Sequence, residues 1–132
     1  PYCHGGDIAD PEFGGEAHPC ADYVPPQLRF GAHTAPLGMR FYAGAMFPPE
    51  YRGDAFVALH GSWNRSRKSG YQVVRVRVDG GKAVAAEPFV QGWLQGEKVL
   101  GRPVDLLVMP DGSMLVSDDK NGAIYRITHA SD

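Results

Sequence analysis

The sequence predicts an all-β fold built from β-propeller blades, on three observations. First, 17 glycines and 11 prolines make up about a fifth of the 132 residues, which favours short strands joined by many turns. Second, one strand–turn–strand pattern occurs twice, since residues 53–76 resemble residues 111–127. Third, the strand signals form a four-stranded unit followed by a three-stranded unit. Repeated four-stranded units are the blades of propellers.

The first 37 residues are predicted to be a loop-rich excursion. Gly5-Gly6, Asp10-Pro11 and Pro25-Pro26 interrupt this part too often for a regular element. A disulfide between Cys3 and Cys20 would constrain the excursion, and the alternative is two unpaired thiols. An even cysteine count fits an exported protein, so we expect a periplasmic or secreted location.

Residues 38–91 are predicted to form a complete blade. Short apolar or alternating runs separated by turn residues indicate antiparallel strands at 39–43, 55–60, 71–78 and 83–90. Valine and arginine alternate along 73–78, as in a strand with one buried and one solvated face.

Residues 101–129 are predicted to form the last, incomplete blade. Strand signals occur at 103–109, 113–117 and 123–128, and a fourth strand is missing. We therefore expect residues 1–132 to be the C-terminal part of one longer propeller domain. A seven-stranded sandwich is the alternative.

Charge and hydropathy exclude two classes of partner. The formal net charge of -2 and a pI near 6.2 give no positive footprint for nucleic acid. The sequence contains no apolar run of the roughly 18 residues that a membrane span requires.

Six ordered motifs resemble the C-terminal part of sorbosone dehydrogenase-like proteins, which belong with the soluble glucose dehydrogenases that use pyrroloquinoline quinone (PQQ). The motifs are Pro1-Tyr2-Cys3-His4-Gly5, Ala32-His33-Thr34-Ala35-Pro36-Leu37-Gly38, Phe47-Pro48-Pro49-Glu50-Tyr51-Arg52-Gly53-Asp54, His60-Gly61-Ser62-Trp63-Asn64-Arg65, Gly101-Arg102-Pro103-Val104-Asp105 and Asp111-Gly112-Ser113-Met114-Leu115-Val116-Ser117-Asp118-Asp119.

The resemblance implies a six-bladed propeller that holds PQQ and calcium, with about two blades supplied by this chain. Such a protein oxidises an aldose or a sorbosone-type sugar and passes electrons to an external acceptor, a quinone, cytochrome or dye. In that family the histidine base and most calcium ligands lie upstream, so no catalytic residue and no metal ligand is predicted in this chain.

Four residues are predicted to contact the cofactor. PQQ carries three carboxylates and needs cations on strand-end turns, where Arg102 and Arg65 lie. The loop around Arg65 aligns less firmly with the family, so Asn64 is an alternative to it. His33 stands where the relatives have a threonine, and its imidazole would bond the quinone or the substrate. In the opposing interpretation both arginines are surface cations or turn braces, and His33 is a structural turn residue.

His60 and Trp63 are predicted to line a sugar cleft, because they follow an apolar strand at a turn. Core packing of Trp63 is the favoured alternative. Asp105, Asp118 and Asp119 would suit calcium chemically, but capping of turn backbone is favoured for them.

Three functions remain open at this point. The first is a PQQ-dependent sugar dehydrogenase. The second is a cofactor-free propeller that serves as a binding or scaffold module, since fold does not imply chemistry. The third is an inactive fragment that lacks the catalytic base and associates with itself or with the remaining blades.

Overall fold

The computed structural model describes residues 2–130, which are almost entirely β structure. Two short 3-10 turns lie at Cys20–Asp22 and Pro49–Tyr51. The strands are β1 (Cys3–His4), β2 (Ile8–Ala9), β3 (Pro36–Phe41), β4 (Ala55–Leu59), β5 (Gln72–Asp79), β6 (Lys82–Val90), β7 (Leu94–Gln95), β8 (Lys98–Val99), β9 (Pro103–Val108), β10 (Met114–Asp118) and β11 (Ala123–Ile127).

The seven long strands form two antiparallel meanders. The first sheet has the order β3-β4-β5-β6, and the second has the order β11-β10-β9. Each of these strands coincides with a predicted one to within a few residues. The largest difference is in β3, which begins at Pro36 because Pro36 pairs with Leu59 ahead of an irregularity in the ladder. The two-residue hairpins β1–β2 and β7–β8 were not predicted.

The main core lies between the two sheets. Phe56 and Ala58 of β4 and Val73 of β5 pack in one cluster with Leu106 of β9 and Val116 of β10. The other residues of β4 are also buried, on the opposite face of the first sheet. A central strand that is buried on both faces reads as a continuous apolar run, and this explains the pattern Ala-Phe-Val-Ala-Leu.

Buried hydrogen bonds stabilise the arrangement of the strands. The Tyr42 hydroxyl donates to the carbonyl of Gly112 at 2.7 Å and so ties the end of β3 to the turn between β9 and β10. Arg75, on β5, donates from Nε to the buried carboxylate of Asp54 at 2.6 Å. These pairings satisfy polar groups that would otherwise be costly to bury.

The excursion before β3 is joined by the predicted disulfide, which links Cys3 and Cys20 with an S–S distance of 2.07 Å. Its last part, with Leu28 and Phe30, packs on the outer face of the first sheet. Among residues 2–130 there is no helix long and apolar enough to cross a membrane.

Candidate functional site

The predicted site residues lie at one edge of the two sheets, which we call the rim. The rim comprises residues 32–35 before β3, 60–71 between β4 and β5, 101–102 before β9, and 118–121 between β10 and β11. In an antiparallel meander the turns at one end belong to the same sheet edge. Contacts between the two sheets then bring these two edges together.

Arg102 reaches from the second sheet onto the 60–71 turn of the first. Its Nη1 donates to the carbonyl of Gly61 at 3.1 Å, and its Nη2 donates to that of Ser62 at 3.3 Å. The guanidinium carbon lies 5.0 Å from the centre of the Tyr71 ring, and Nη2 is 3.4 Å from the Tyr71 hydroxyl. The half-buried Arg102 side chain is thus held by a cation–π contact and by neutral acceptors.

Asp118 fixes the backbone from which Arg102 projects. This carboxylate is 2% exposed and accepts from the Arg102 N–H at 3.0 Å, the Asn121 amide at 2.8 Å and the Tyr125 hydroxyl at 3.1 Å. Burial alone would raise the pKa of Asp118, but these hydrogen bonds outweigh it and lower the pKa. The turn-capping interpretation of Asp118 is therefore supported.

His60 makes the reciprocal contact, from the first sheet to the second. Its Nε2 lies 3.0 Å from Oδ1 and 3.1 Å from Oδ2 of Asp119. Its Nδ1 lies 3.4 Å from Nη1 of Arg102. The two predicted site residues His60 and Arg102 are thus in contact.

The base of the 60–71 turn is closely packed. Gly61 has φ +98°, and a Cβ atom there would lie 2.6 Å from the Tyr71 ring. The Ser62 N–H donates to the carbonyl of Ser69 at 2.9 Å, and the Tyr71 hydroxyl donates to the carbonyl of Ser62. Only glycine allows Tyr71 to pack this closely on the backbone at residue 61.

The tip of the same turn projects into solvent. Trp63 is 86% exposed, and Asn64 and Arg65 are exposed as well. The expectation that Trp63 packs in the core is therefore wrong for this chain. The reason is the tight base of the turn, which leaves residue 63 beyond the end of the packed sheet.

Arg65 and His33 form a second group on the rim. Nη1 of Arg65 donates to the carbonyl of Ala32 at 3.0 Å, next to the exposed His33. His33 has φ +65°, a left-handed conformation that is uncommon for residues other than glycine. The backbone N–H of His60 donates to the carbonyl of Ala35, and that of Gly61 donates to the carbonyl of Thr34, at 3.0 Å each. These two hydrogen bonds join the 32–35 segment, which carries His33, to the 60–71 turn.

The charges of Arg65 and Arg102 are not neutralised within residues 2–130. Four other arginines form ion pairs with carboxylates there, namely Arg29, Arg40, Arg75 and Arg126. Arg65 and Arg102 instead donate to backbone carbonyls and other neutral groups. The rim therefore carries Arg65 and Arg102 as cations that can interact with an anionic ligand, and Arg67 and Lys120 add positive charge on the same turns.

The aspartates of the rim and its surroundings do not form a cluster of metal-ligating side chains. The described residues contain no group of three or more histidine, cysteine, aspartate or glutamate side chains that would hold a metal ion. The oxygens of Asp118 are already occupied by donors, and the Asp105 carboxylate lies 3.4 Å from Arg40.

Sequence reasoning missed two contributors to this arrangement, Tyr71 and the partnership of Asp119 with His60. Tyr71 is fully buried and has φ +60°. Its position just before an alternating strand gave no sign of a contact with Arg102. Asp119 and His60 are 59 positions apart and meet only because the two sheets pack together.

A family model described as TrAA12-like matches residues 8–130. The chain belongs to the TrAA12-like family. This membership agrees with the resemblance of its motifs to the PQQ-dependent sugar dehydrogenase family.

Two relatives illustrate the similarity in sequence. An uncharacterized protein of Borreliella burgdorferi is 38% identical over 130 residues, which cover 96% of this chain and 34% of that protein. A pyrroloquinoline quinone-dependent pyranose dehydrogenase of Coprinopsis cinerea is 34% identical over 131 residues, which cover 84% of this chain and 17% of that protein.

Solved structures show the same fold. The chain superposes on a Trichoderma reesei Carbohydrate-Active Enzymes Family AA12 structure with a TM-score of 0.70 at 24% identity, covering 92% of this chain and 32% of that one. The pyranose dehydrogenase PQQ domain of Coprinopsis cinerea gives a TM-score of 0.62 at 28% identity, with coverages of 94% and 34%.

The TrAA12-like chain thus spans about a third or less of the length of these proteins. The prediction of an all-β chain that forms part of a β-propeller is confirmed, and its two sheets are the two predicted blades. The sandwich alternative is wrong.

Proposed function

We propose that the rim forms part of the PQQ site of an oxidoreductase that acts on a sugar. The observation that carries the proposal is the pair of arginines, Arg65 and Arg102, whose charges are left unpaired at one edge of a PQQ-family fold. PQQ is a planar molecule with three carboxylates, and guanidinium groups are suited to bind carboxylates. The donor set of the rim therefore fits the cofactor.

The residues of this chain would bind and orient the cofactor. Arg102, held by Gly61, Ser62 and Tyr71, presents a fixed cation, so little conformational entropy is lost when an anion binds it. Arg65 and Asn64 lie on the exposed tip, and His33 lies beside Arg65. These three side chains would complete the polar wall of the site.

PQQ, when bound, supplies the two-electron oxidation of the sugar. The proton acceptor that this reaction needs is proposed to lie outside this chain, as are the calcium ligands. Trp63 would form an apolar wall of the sugar cleft, since an exposed indole next to a cofactor site offers a flat face to a pyranose ring. Electrons would leave to an external acceptor.

We further propose that residues 1–132 are the C-terminal part of the propeller domain and that the protein is periplasmic or secreted. The closed disulfide of Cys3 and Cys20 supports the location, because disulfides persist in oxidising compartments. The predicted substrate, an aldose or a sorbosone-type sugar, has its support in the pyranose dehydrogenase named among the relatives.

Titration of the full-length apoprotein with PQQ tests this function. Binding is followed by quenching of tryptophan fluorescence, for which Trp63 is a reporter at the rim. We expect Arg65→Gln and Arg102→Gln to weaken binding roughly 10- to 100-fold each, as for the loss of one charge-assisted hydrogen bond.

Arg77→Gln is the matched control, because Arg77 is exposed near the far end of β5 and lies outside the rim. A panel of aldoses is then added to the loaded protein, and bleaching of oxidised PQQ identifies substrates. If PQQ does not bind the unaltered protein, a cofactor-free binding module is the better description. Wild-type affinity in both rim variants would remove these arginines from the site.

A further inference from the structure

The strongest unexplained feature of the rim is that His60 engages both of its ring nitrogens across the boundary between the two sheets. Nε2 faces both oxygens of Asp119, at 3.0 and 3.1 Å, and Nδ1 faces Nη1 of Arg102 at 3.4 Å. The His60 side chain is 21% exposed, and that of Asp119 is 59% exposed. A histidine engaged in this way has no ring nitrogen left for a sugar hydroxyl.

The partners of His60 determine its tautomer. An ionised carboxylate only accepts hydrogen bonds, so Nε2 of His60 must carry a proton and donate it in the hydrogen bond to Asp119. In the neutral ring Nδ1 is then an acceptor, and it faces a guanidinium group that only donates. The tautomer of the neutral His60 ring is thus selected by Asp119 in the form that Arg102 requires.

The remaining contacts of Arg102 are also with groups that carry no formal charge. Its other acceptors are the carbonyls of Gly61 and Ser62 and the hydroxyl of Tyr71, all without formal charge. Asp119 holds His60 but is not itself an ion-pair partner of Arg102. The guanidinium is therefore oriented by four neighbours that engage its two Nη groups, while its positive charge has no carboxylate partner within residues 2–130.

We propose that His60 and Asp119 are positioning residues, which hold Arg102 across the two blades in the orientation that binds an anionic carboxylate of the cofactor. This inference rests on the proposed function, and it replaces contact with the sugar as the role of His60. It deepens that function by assigning Asp119, an acidic residue, a favourable part in the binding of an anion.

The sign of one mutational effect separates this role from simple electrostatics. Removing a carboxylate near an anion site strengthens anion binding by Coulomb's law. Positioning demands the opposite result: Asp119→Ala is expected to weaken PQQ binding by the full-length protein roughly 3- to 10-fold, as for the loss of one hydrogen bond. Asp79→Ala is the matched control, because it removes an exposed carboxylate that lies outside the rim.

A double-mutant cycle then tests whether Asp119 acts through Arg102. In the Arg102→Gln background, Asp119→Ala is expected not to weaken PQQ binding, because the group being positioned is gone and only the Coulomb effect of the lost carboxylate remains. Equal weakening by Asp119→Ala in both backgrounds, or tighter binding in the single variant, would overturn the proposal.

A readout without cofactor keeps the test independent of the proposed function. Long-range ¹H–¹⁵N spectra of the histidine-labelled apoprotein should show His60 with its proton on Nε2, and Asp119→Ala should produce a mixture of tautomers. A proton on Nδ1 in the unaltered protein overturns the positioning role. If PQQ fails to bind at all, the proposed function falls, and the spectra alone decide whether Asp119 sets the state of His60.

Discussion

At the scale of single residues, Asp118 shows how a buried charge serves a turn. Its carboxylate accepts hydrogen bonds from residues 102, 121 and 125, and these outweigh burial and lower its pKa. A carboxyl whose folded-state pKa lies below its unfolded value stabilises the fold at pH values above the unfolded pKa. That contribution is lost as the pH falls through the folded-state pKa.

Asp118→Asn is accordingly expected to lower the free energy of unfolding at pH 7 by about 1–3 kcal/mol, since it leaves buried donors without their charged acceptor. The difference from the unaltered protein should shrink as the pH drops below about 4, where an unfolded aspartate is protonated. Urea unfolding at several pH values measures this, with the exposed Asp79→Asn as control. A difference that does not change with pH would contradict the assignment.

At the scale of elements, the 60–71 turn depends on Gly61 and Tyr71 at its base. Gly53, which lies before β4 and outside this turn, has a backbone angle similar to that of Gly61, φ +90° against φ +98°. Only Gly61 faces the Tyr71 ring. A Cβ atom at residue 53 would meet no heavy atom within 4 Å. The two glycines therefore separate the cost of a left-handed backbone from the cost of a steric overlap.

Gly53→Ala is expected to destabilise the protein by about 1–3 kcal/mol, the backbone cost alone. Gly61→Ala should add the overlap with Tyr71, roughly a further 1–3 kcal/mol, because the ring is packed and cannot yield freely. Thermal unfolding of the two variants compares these costs. Equal destabilisation would mean that the turn relaxes around the new methyl group.

The sequence predicted the long strands well because each carries a period or a continuous apolar run bounded by turn residues. It missed β7 and β8, which are two residues each and show no period. The rule that ligand-binding residues lie on strand-end turns selected Arg65 and Arg102, and the structure brings their two turns to one sheet edge. Their contact with the cofactor stays a prediction. The contact of His60 with Asp119 was not predictable, since a contact between blades leaves no local pattern.

At the scale of the whole molecule, the two sheets bury their facing sides and leave their outer sides apolar. On the first sheet Met39 and Phe41 are 50% and 59% exposed, beside a hollow of about 470 Å³ under Leu28 and Phe30. On the second sheet Leu107 and Ile124 are 53% and 71% exposed. Apolar surface on both outer sides is typical of blades that have a neighbour on each side in a ring.

Residues 1–132 expressed alone are expected to self-associate through these outer sides. Contiguous apolar surface of this kind drives association in water, and the unpaired edge strands add to it. The double change Leu107→Lys and Ile124→Lys should shift the fragment towards monomer in sedimentation velocity runs. Val24→Lys is the control, because Val24 is 92% exposed on the excursion and belongs to neither sheet.

The outcome bears on how blades are held in a ring. If the double change yields a folded monomer, the core between the two sheets suffices for two blades, and the outer sides serve to join neighbours. If it yields an unfolded chain, the neighbours supply stability that a two-blade core lacks. A wild-type fragment that stays monomeric at high concentration would show that the excursion with Leu28 and Phe30 covers enough of the first sheet to prevent association.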